Sequence, residues 1–496
     1  MSDNNKVQLI TYVDRFGGKT LSELHNVLTE ELKGIFAGVH LLPFYYPIDG
    51  ADAGFDPIDH TTVDNRLGSW SDIAAIGSEF DIMADMIVNH ISADSDAFKD
   101  VLKHCEKSKF WELFLRKDSV FKQEQEEDIK KVFRPRPTSF FSDYTLADGK
   151  KVPFWTTFTA KQIDIDVTSK QGKNYLDSIL TAFAKNNIKL IRLDAAGYAI
   201  KKAGSSCFML NETFEFIQAL SERAQCLGLQ CLVEVHSHYQ TQIDIAKKCS
   251  AVYDFALPPL ILHSLFSKNV DALSHWLKIS PRNCFTVLDT HDGIGIVDVG
   301  PSSGKPGLLG EKEIDLLVET IHRNSANQSR KATGASASNV DLYQVNCTFY
   351  DALARDDKAY LLARAIQLFC PGIPQIYYAG FLACENDMGL LEKTNVGRDI
   401  NRPYISKDVL LESLKKPVVK ALISLIDTRN NCSAFSGEFS VKGQGSNLSL
   451  EWKLDTEIAR LDLDVETLDA TIVINQEKEN KKINLASLLN EEQNKV

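Results

Sequence analysis

Eight short apolar segments recur along this 496-residue chain, and most are followed by turn residues and a helix-like stretch. They lie at residues 7–13, 38–44, 81–90, 188–194, 230–236, 251–257, 284–292 and 373–378. Strand followed by helix, repeated in this way, is the pattern of a parallel (β/α)8 barrel. An open doubly wound sheet is the competing fold, but no glycine-rich fingerprint follows the first segment. We therefore predict an α/β fold built on a TIM barrel.

Two intervals between these segments are too long for one strand and one helix. About a hundred residues separate His90 from Ile188, and a second long interval runs from Asp292 to Ile373. Loops of that length without structure of their own are uncommon, so inserted subdomains are the simpler account. After the eighth segment, apolar and polar residues alternate from Leu448 onward, which indicates antiparallel strands.

The predicted organisation is therefore a barrel with two inserted subdomains and a small C-terminal antiparallel β domain. The expected boundaries are 1–90, 169–293 and 357–434 for barrel domain A, 91–168 for subdomain B, 294–356 for subdomain B′ and 435–496 for the C-terminal domain.

Composition limits the expected partners. A net charge of −12 and a pI near 5.5 argue against nucleic acid or an anionic membrane surface. The chain starts without the apolar core of a signal peptide, and no stretch approaches the roughly 20 apolar residues of a membrane span, so we expect a soluble, cytoplasmic protein. The ten cysteines include no CxxC pair and several lie in apolar runs, which favours buried free thiols over disulfides or zinc ligands.

Ionisable residues lie at the carboxyl ends of four predicted strands. They are His90, Arg192, Asp194, Glu234, His236, His291 and Asp292. Because the carboxyl ends of barrel strands share one mouth, we expect these side chains to meet there. Arg192 and Asp194 lie on one side of a strand, where the arginine could hold Asp194 ionised as a nucleophile. The alternative is a structural ion pair that fills the barrel mouth.

Two chemistries fit such a cluster. Paired carboxylates about 5–5.5 Å apart serve retaining glycosyl transfer. A metal-assisted hydrolase would instead use His90, His236, His238 and Asp292 as ligands. The number of acidic residues favours the first, and we expect neither a metal nor a cofactor. A binding protein on an inactive barrel is a third class, which the intact set of Asp194, Glu234 and Asp292 disfavours.

The loop DGADAGFDPIDH, at 49–60, is the other acidic candidate. Asp52, together with Arg398 of NVGRDINRP, could bind sugar hydroxyls at the bottom of a pocket. The alternatives are Asx turns or a calcium site, although the DxDxDG spacing is absent, and a surface ion pair for Arg398.

Four short segments resemble the four conserved regions of the α-amylase superfamily: IVNH (87–90), IRLDAAGY (191–198), VEVHS (233–237) and LDTHDG (288–293). Finer matches resemble the sucrose phosphorylases within that superfamily, along nearly the whole chain. These are GADAGFDPIDHTTVDNRLGSW, FRPRP, FTAKQIDID, YDFALPP, LYQVN and GRDINR.

This resemblance implies a reversible, retaining transfer of the glucosyl unit of sucrose to phosphate, which gives α-D-glucose 1-phosphate and fructose. It implies Asp194 as nucleophile, with a covalent β-glucosyl-enzyme, Glu234 as acid/base and Asp292 as transition-state stabiliser. The implied substrate-binding residues are Asp52, Phe55, His90, Phe158, Gln162, Arg192, Tyr198, His236, His291 and Arg398. The implied phosphate- and acceptor-binding residues are Arg136, Asp341, Leu342, Tyr343 and Gln344. Members of the family that this chain resembles include homodimers.

Alternatives remain open within the same family. They are a phosphorylase for sucrose 6-phosphate or glucosylglycerate, and a retaining α-glucosidase or transglucosidase.

Overall fold

Eight parallel strands form the centre of the molecule. The computed structural model describes residues 5–49, 53–121, 126–135, 139–302, 304–335, 344–476 and 479–490. The strands are β1 (Gln8–Thr11), β2 (Gly38–Leu41), β3 (Asp81–Ile87), β4 (Ile188–Asp194), β5 (Gln230–Val233), β6 (Ala251–Asp254), β7 (Cys284–Thr286) and β8 (Ile373–Tyr377). Each pairs in parallel with the next, and β1 pairs with both β2 and β8, so the ring is closed. The predicted barrel is confirmed, and each predicted segment contains one of these strands.

Helices follow the barrel strands along the chain. Their bounds are Leu21–Asn26, Trp70–Ile76, Lys170–Lys185, Asn211–Gln225, Tyr239–Ala246, Leu257–Ser267, Asp271–Ile279, Asp357–Phe369, Tyr378–Phe381, Met388–Thr394, Lys407–Ser413 and Pro417–Asn430. Because helices cover the barrel outside and side chains fill its inside, the strands are apolar on both faces, as Leu190, Ile191 and Leu193 show in β4. Pro417 occupies the first turn of the last helix, where its missing N–H costs no hydrogen bond.

Several predicted elements differ at their ends. The helix Leu21–Asn26 continues as a π-helical turn over Val27–Glu31. Strands β3, β5 and β7 end before the ionisable residues that were assigned to them, so those side chains stand on the connections that follow. His90 instead begins a short strand, His90–Ser92, which pairs antiparallel with Gln162–Asp164. The chain leaves the barrel at this point because its backbone partners come from the first insertion.

The first insertion has its own elements and its own small core. Its helices are Asp96–His104, Lys117–Val120 and Glu126–Lys130, and its hairpin pairs Phe141–Thr145 with Lys151–Trp155. A separate apolar cluster consists of Leu115, Phe121, Val132, Phe140, Trp155 and, from the connection after β4, Cys207. We propose that this segment, over 91–168, is subdomain B.

The second insertion follows β7. Its strand Ile294–Gly295 pairs antiparallel with Gln344–Val345, and its helices are Glu311–Asn324, Gln328–Ala335 and Phe349–Ala352. We propose that residues 294–356 are subdomain B′.

A five-stranded antiparallel sheet ends the chain. Its strands are β9 (Glu438–Gln444), β10 (Asn447–Leu454), β11 (Glu457–Asp464), β12 (Asp469–Gln476) and β13 (Glu479–Asn484). Leu450, Leu461 and Ile472 share its buried face, as the alternation predicts. Trp452 Nε1 donates to the Phe369 carbonyl at 2.7 Å, which connects the sheet to a barrel helix.

The remaining composition-based predictions concern thiols and membranes. All ten cysteines are free, and six of them are buried, so the prediction of buried free thiols is confirmed for most of them. Among the residues described, no helix is both long enough and apolar enough to cross a bilayer.

Candidate active site

One pocket opens where the carboxyl ends of the barrel strands meet the two insertions. Its polar floor consists of Arg192, Asp194, Glu234, His291, Asp292 and Arg398. Its aromatic rim consists of Phe133, Phe158, Tyr198 and Phe208. The floor comes from the end of β4 and from the connections after β5, β7 and β8, whereas the rim comes from the first insertion and the connection after β4.

Arg192 organises the floor. Its side chain is 3% exposed, and its Nη1 lies 2.8 Å from Asp194 Oδ1 while its Nη2 lies 2.8 Å from Glu234 Oε1. Glu234 Oε2 also accepts a hydrogen bond from the backbone N–H of Ala195 at 3.4 Å. The side-chain alternation of β4 puts Arg192 and Asp194 on one side, and β5 is the adjacent strand. One guanidinium therefore holds two carboxylates beside each other.

Asp85 is a third partner of Arg192, and sequence reasoning missed it. Its Oδ1 lies 2.5 Å from Arg192 Nη1, and its Oδ2 lies 2.9 Å from His40 Nε2. Burial disfavours the Asp85 anion, but His40 and Arg192 outweigh burial and lower its pKa to about 2. A charged residue inside the apolar strand DIMADMI was the available signal.

The two aspartates of the floor have opposite electrostatic environments. Burial raises the pKa of Asp194 well above its ordinary range; Arg192 opposes the rise and Glu234 adds to it. Burial also acts on Asp292, but Arg398 and further cations lower its pKa far below the ordinary value. Arg398 Nη1 lies 2.8 Å from Asp292 Oδ1, and Arg402 Nη2 lies 3.9 Å from the same oxygen. Asp292 is therefore firmly ionised, whereas burial makes the Asp194 anion costly, against the expectation that Arg192 alone holds it ionised.

A flat wall closes one side of the floor. The His291 ring stacks on Phe55 with centroids 4.7 Å apart and an angle of 7°. Burial lowers the pKa of His291 to about 3, so the ring is neutral at neutral pH. Arg402, also missed from sequence, is buried and donates from Nε to the His291 carbonyl at 2.8 Å. The segment GRDINRP contains both arginines, but only the first, Arg398, was predicted to be a site residue.

The first insertion supplies the opposite side. His90 Nε2 lies 3.0 Å from the Phe55 carbonyl oxygen and 3.1 Å from Gln162 Nε2. Phe158 packs edge-on against His90 at 5.4 Å and against Tyr198 at 5.2 Å. The short strand pair that carries His90 and Gln162 thus joins the insertion to the pocket.

His236 connects the floor to the second insertion. Its ring stacks on Phe255 at 3.9 Å, and its Nδ1 lies 3.1 Å from Asp298 Oδ2. Its Nε2 lies 4.0 Å from Glu234 Oε1 and 3.4 Å from Gln344 Nε2. Asp298 is a third residue that sequence reasoning missed, because nothing in the local pattern places it near position 236.

The rim is a continuous set of rings. Phe133 stacks on Phe208 with centroids 4.7 Å apart, and Phe208 contacts Tyr198 at the same centroid distance, 4.7 Å. Phe133 remains 37% exposed. Neither Phe133 nor Phe208 was among the predicted site residues.

Most of the predicted site residues meet in this pocket. The structure brings together Phe55, His90, Phe158, Gln162, Arg192, Asp194, Tyr198, Glu234, His236, His291, Asp292, Gln344 and Arg398. The predicted residues Asp52, Arg136, Asp341, Leu342 and Tyr343 lie outside the described residues.

The ligand set of the metal-hydrolase alternative is not assembled. His238 Nε2 bonds to the Pro306 carbonyl at 2.9 Å, and its Nδ1 accepts from Gln240 N at 3.3 Å. Glu234, His236 and Asp292 do bring ligand atoms within 4.8 Å of one another. However, Glu234 and Asp292 are each in an ion pair with an arginine, and a divalent cation would be repelled by both guanidiniums.

Comparison with known proteins agrees with this geometry. A family model described as the α-amylase catalytic domain matches residues 31–239. The chain is 55% identical, over 94% of its length and 96% of the relative's, to a sucrose phosphorylase of Agrobacterium vitis. It is 50% identical, over 92% of each chain, to a sucrose phosphorylase of Bifidobacterium adolescentis. The chain belongs to the sucrose phosphorylase family of the α-amylase superfamily.

The fold of this family member also matches a solved relative. A crystal structure of sucrose 6F-phosphate phosphorylase from Thermoanaerobacter thermosaccharolyticum superposes with a TM-score of 0.90 at 37% identity, over 98% of both chains. An α-amylase from H. orenii, at 12% identity and a TM-score of 0.64, shares the fold.

Proposed function

We propose that the protein is a sucrose phosphorylase, which converts sucrose and phosphate into α-D-glucose 1-phosphate and D-fructose with net retention. The observation that carries this proposal is that Asp194 and Glu234 share one guanidinium at the floor of a pocket. Two carboxyl groups side by side are what a retaining double displacement requires. The identity of 55% to a named sucrose phosphorylase supports the choice of substrate.

In the first step, Asp194 attacks the anomeric carbon of the glucosyl unit and Glu234 gives its proton to the departing fructose oxygen. A β-glucosyl-enzyme forms, and the glycosidic bond breaks. Burial and the neighbouring Glu234 disfavour the Asp194 anion and raise its pKa. Positive charge that develops on the sugar offsets this cost, because it favours the Asp194 anion in the transition state.

Asp292 stabilises the same transition state as a permanent anion. Its low pKa, caused by Arg398 and its neighbours, supports that role, since a protonated group could not offset an oxocarbenium-like charge. Asp52, His90, Arg192, His291 and Arg398 bind the glucosyl hydroxyls in this proposal, and Phe55 with His291 forms the wall against which the ring lies.

In the second step, a phosphate oxygen attacks the anomeric carbon and displaces Asp194, while Glu234 assists as base. The carboxylates of the floor repel phosphate unless a cationic side chain lies beside it. We assign that part to Arg136, whose guanidinium fork suits a phosphate, together with Asp341, Leu342, Tyr343 and Gln344. Pro135 and Gln344, which border these segments, both line the pocket. Phe158, Gln162, Tyr198 and His236 form the acceptor side.

Incubating the protein with sucrose and phosphate tests the proposal. We expect α-D-glucose 1-phosphate and fructose in equal amounts, and only slow release of glucose when phosphate is left out. Equal amounts of glucose and fructose without any glucose 1-phosphate, whether or not phosphate is present, would make the protein an α-glucosidase. Sucrose 6F-phosphate is the matched alternative substrate, and a higher kcat/KM for it than for sucrose would move the assignment to the activity named for the solved relative.

Two further properties belong to this proposal. We expect a homodimer and a cytoplasmic location, which size-exclusion chromatography with light scattering and cell fractionation would check.

A further inference from the structure

A buried carboxylate lies directly behind His236 and takes no part in the reaction as proposed above. Asp298 is 0% exposed, and its Oδ2 faces His236 Nδ1 at 3.1 Å. Its other oxygen accepts hydrogen bonds from Ser237 N at 3.1 Å and from Gln242 Nε2 at 2.8 Å. Three donors therefore converge on one carboxylate, which fixes its position.

Gly295 leaves room for the contact between Asp298 and His236. A Cβ at Gly295 would lie 2.7 Å from Asp298 Oδ2 and 3.2 Å from His236 Nδ1. Phe255 stacks on the imidazole at 3.9 Å, so the ring plane is also held. Asp298, Phe255 and Gly295 thus surround the Nδ1 edge and one face of the ring. Nε2 lies on the other edge of the ring and faces Glu234 and Gln344.

We propose that Asp298 is a positioning residue for phosphate: it holds His236 with Nε2 toward the pocket as a hydrogen-bond donor for the incoming anion. The inference rests on the proposed function. Because Asp298 can only accept, Nδ1 must carry a proton. Nε2 then has a lone pair in the neutral ring and an N–H in the imidazolium. Only the imidazolium can donate to a phosphate oxygen.

The charges around His236 favour that form. Glu234 faces it from the end of β5, and Asp298 and Asp292 face it from the segment after β7. Burial disfavours the imidazolium, but Asp298, Glu234 and Asp292 together outweigh burial and raise the pKa of His236. Arg398, a cation of the pocket floor, is already in an ion pair with Asp292 at 2.8 Å. The imidazolium thus supplies a cation beside the carboxylates that repel phosphate.

The substitution Asp298→Asn tests the inference, since it keeps the shape and removes the charge. We expect the KM for phosphate to rise roughly tenfold, because an opposite charge within hydrogen-bonding distance shifts a pKa by about one unit or more. The KM for sucrose and the rate of sucrose hydrolysis without phosphate should change less than about twofold. Loss of His236 protonation should also move the alkaline decline of glucose 1-phosphate formation to lower pH. Both proteins are compared at each pH because phosphate itself titrates.

Asp351→Asn is the matched control. Asp351 is equally buried and accepts from Thr348 Oγ1 at 3.2 Å and from Arg355 Nε at 2.7 Å, and neither partner lines the pocket. It should leave the KM for phosphate and its pH profile unchanged. An unchanged KM for phosphate in Asp298→Asn overturns the inference while the proposed function stands. A wild-type protein that makes no glucose 1-phosphate overturns the proposed function, and the inference with it.

A measurement on the wild type covers the case in which Asp298→Asn does not fold. Nitrogen-15 NMR of histidine-labelled protein, assigned by comparison with His236→Gln, follows the protonation of both ring nitrogens. Inorganic phosphate should raise the pH midpoint of His236 by linkage, with Nδ1 protonated on both sides of the transition. A midpoint that phosphate does not move, or a neutral ring with the proton on Nε2, overturns the inference.

Discussion

The floor and the rim of the pocket are built on different principles. Every ionisable side chain of the floor is paired with another, as Arg192 is with Asp85, Asp194 and Glu234. Arg192, His291 and Asp292 are buried, and the other floor residues are partly buried. The rim is a row of aromatic rings in stacked, tilted and edge-on contact, and it stays partly open to solvent, with Phe133 37% exposed. The floor stands at the ends of barrel strands and on the connections that follow them, whereas the rim stands on one connection and an insertion. Fixed charge suits a transition state, and a row of aromatic rings suits an exchangeable acceptor.

The floor itself contains a second contrast. The side chains of Asp194 and Asp292 are 14% and 8% exposed, yet burial dominates the pKa shift of the first and cations dominate that of the second. Asp194 shares Arg192 with two other carboxylates, whereas Asp292 has Arg398 at 2.8 Å and Arg402 at 3.9 Å. The number of cations beside each carboxylate, rather than its burial, therefore accounts for the opposite pKa shifts of Asp194 and Asp292.

The strongest test of the floor is Asp194→Asn. Without a carboxylate nucleophile no glucosyl-enzyme forms, so we expect kcat for glucose 1-phosphate release to fall by about 10⁴-fold or more. A discontinuous assay of glucose 1-phosphate measures the loss.

The control for Asp194→Asn is Asp143→Asn, at an exposed aspartate of the inserted hairpin, which should keep full activity. Turnover in Asp194→Asn within tenfold of the wild type would mean that another group is the nucleophile.

Glu234→Gln should have the next largest effect, and the effect should depend on the leaving group. With sucrose, we expect kcat/KM to fall about 10²–10⁴-fold, because fructose needs a proton to leave. With α-glucosyl fluoride, whose leaving group needs little protonation, the loss should be much smaller. Parallel kinetics on both donors measure the ratio. Equal losses on the two donors would remove Glu234 from the role of proton donor.

Arg398→Gln tests the contrast between the two aspartates. Arg398 is the largest of the cationic influences that lower the pKa of Asp292, so its removal raises that pKa. Asp292 is ionised above its pKa, and a raised pKa therefore moves the acid limb of kcat/KM to higher pH. We expect about a hundredfold loss at neutral pH, since a positioned charge at the transition state is disturbed. The pH dependence of sucrose phosphorolysis measures both effects.

Arg330→Gln serves as the control for this change. Arg330 forms an exposed ion pair with Glu319 at 2.7 Å, and its loss should leave the pH profile as in the wild type. An acid limb that stays in place in Arg398→Gln would show that the remaining arginines, Arg402 and Arg192, keep Asp292 ionised without Arg398.

The sequence predicts the floor far better than the rim. Strand periodicity and the rule that barrel sites lie at carboxyl strand ends place Arg192, Asp194, Glu234 and Asp292 together, and all four meet. The contacts that tune them were not predictable from spacing. His236 and Asp298 are 62 residues apart, and the connection between them crosses two strands and part of an insertion.

Asp85 and Phe133 show two different reasons for a missed residue. Asp85 carried a signal, a carboxylate inside an apolar strand, which implies a buried cation partner. Phe133 carried no such signal. It lies next to a basic stretch without strand or helix periodicity, so the sequence does not predict where its ring lies. Its contact with Phe208 joins the first insertion to the connection after β4, and such contacts depend on tertiary packing alone.

Phe133→Ala should have the smallest effect and should act on the acceptor alone. In the synthetic direction we expect the KM for fructose to rise about threefold to tenfold, as for the loss of one aromatic contact, with the KM for glucose 1-phosphate unchanged. The stacking partner Phe208 remains in contact with Tyr198 at 4.7 Å, so the floor should keep its geometry. Leu316→Ala, at a side chain 62% exposed on another surface, is the control for removing an exposed apolar group. If the KM for glucose 1-phosphate rose as much as that for fructose, the rim would belong to donor recognition and the division of the pocket would be wrong.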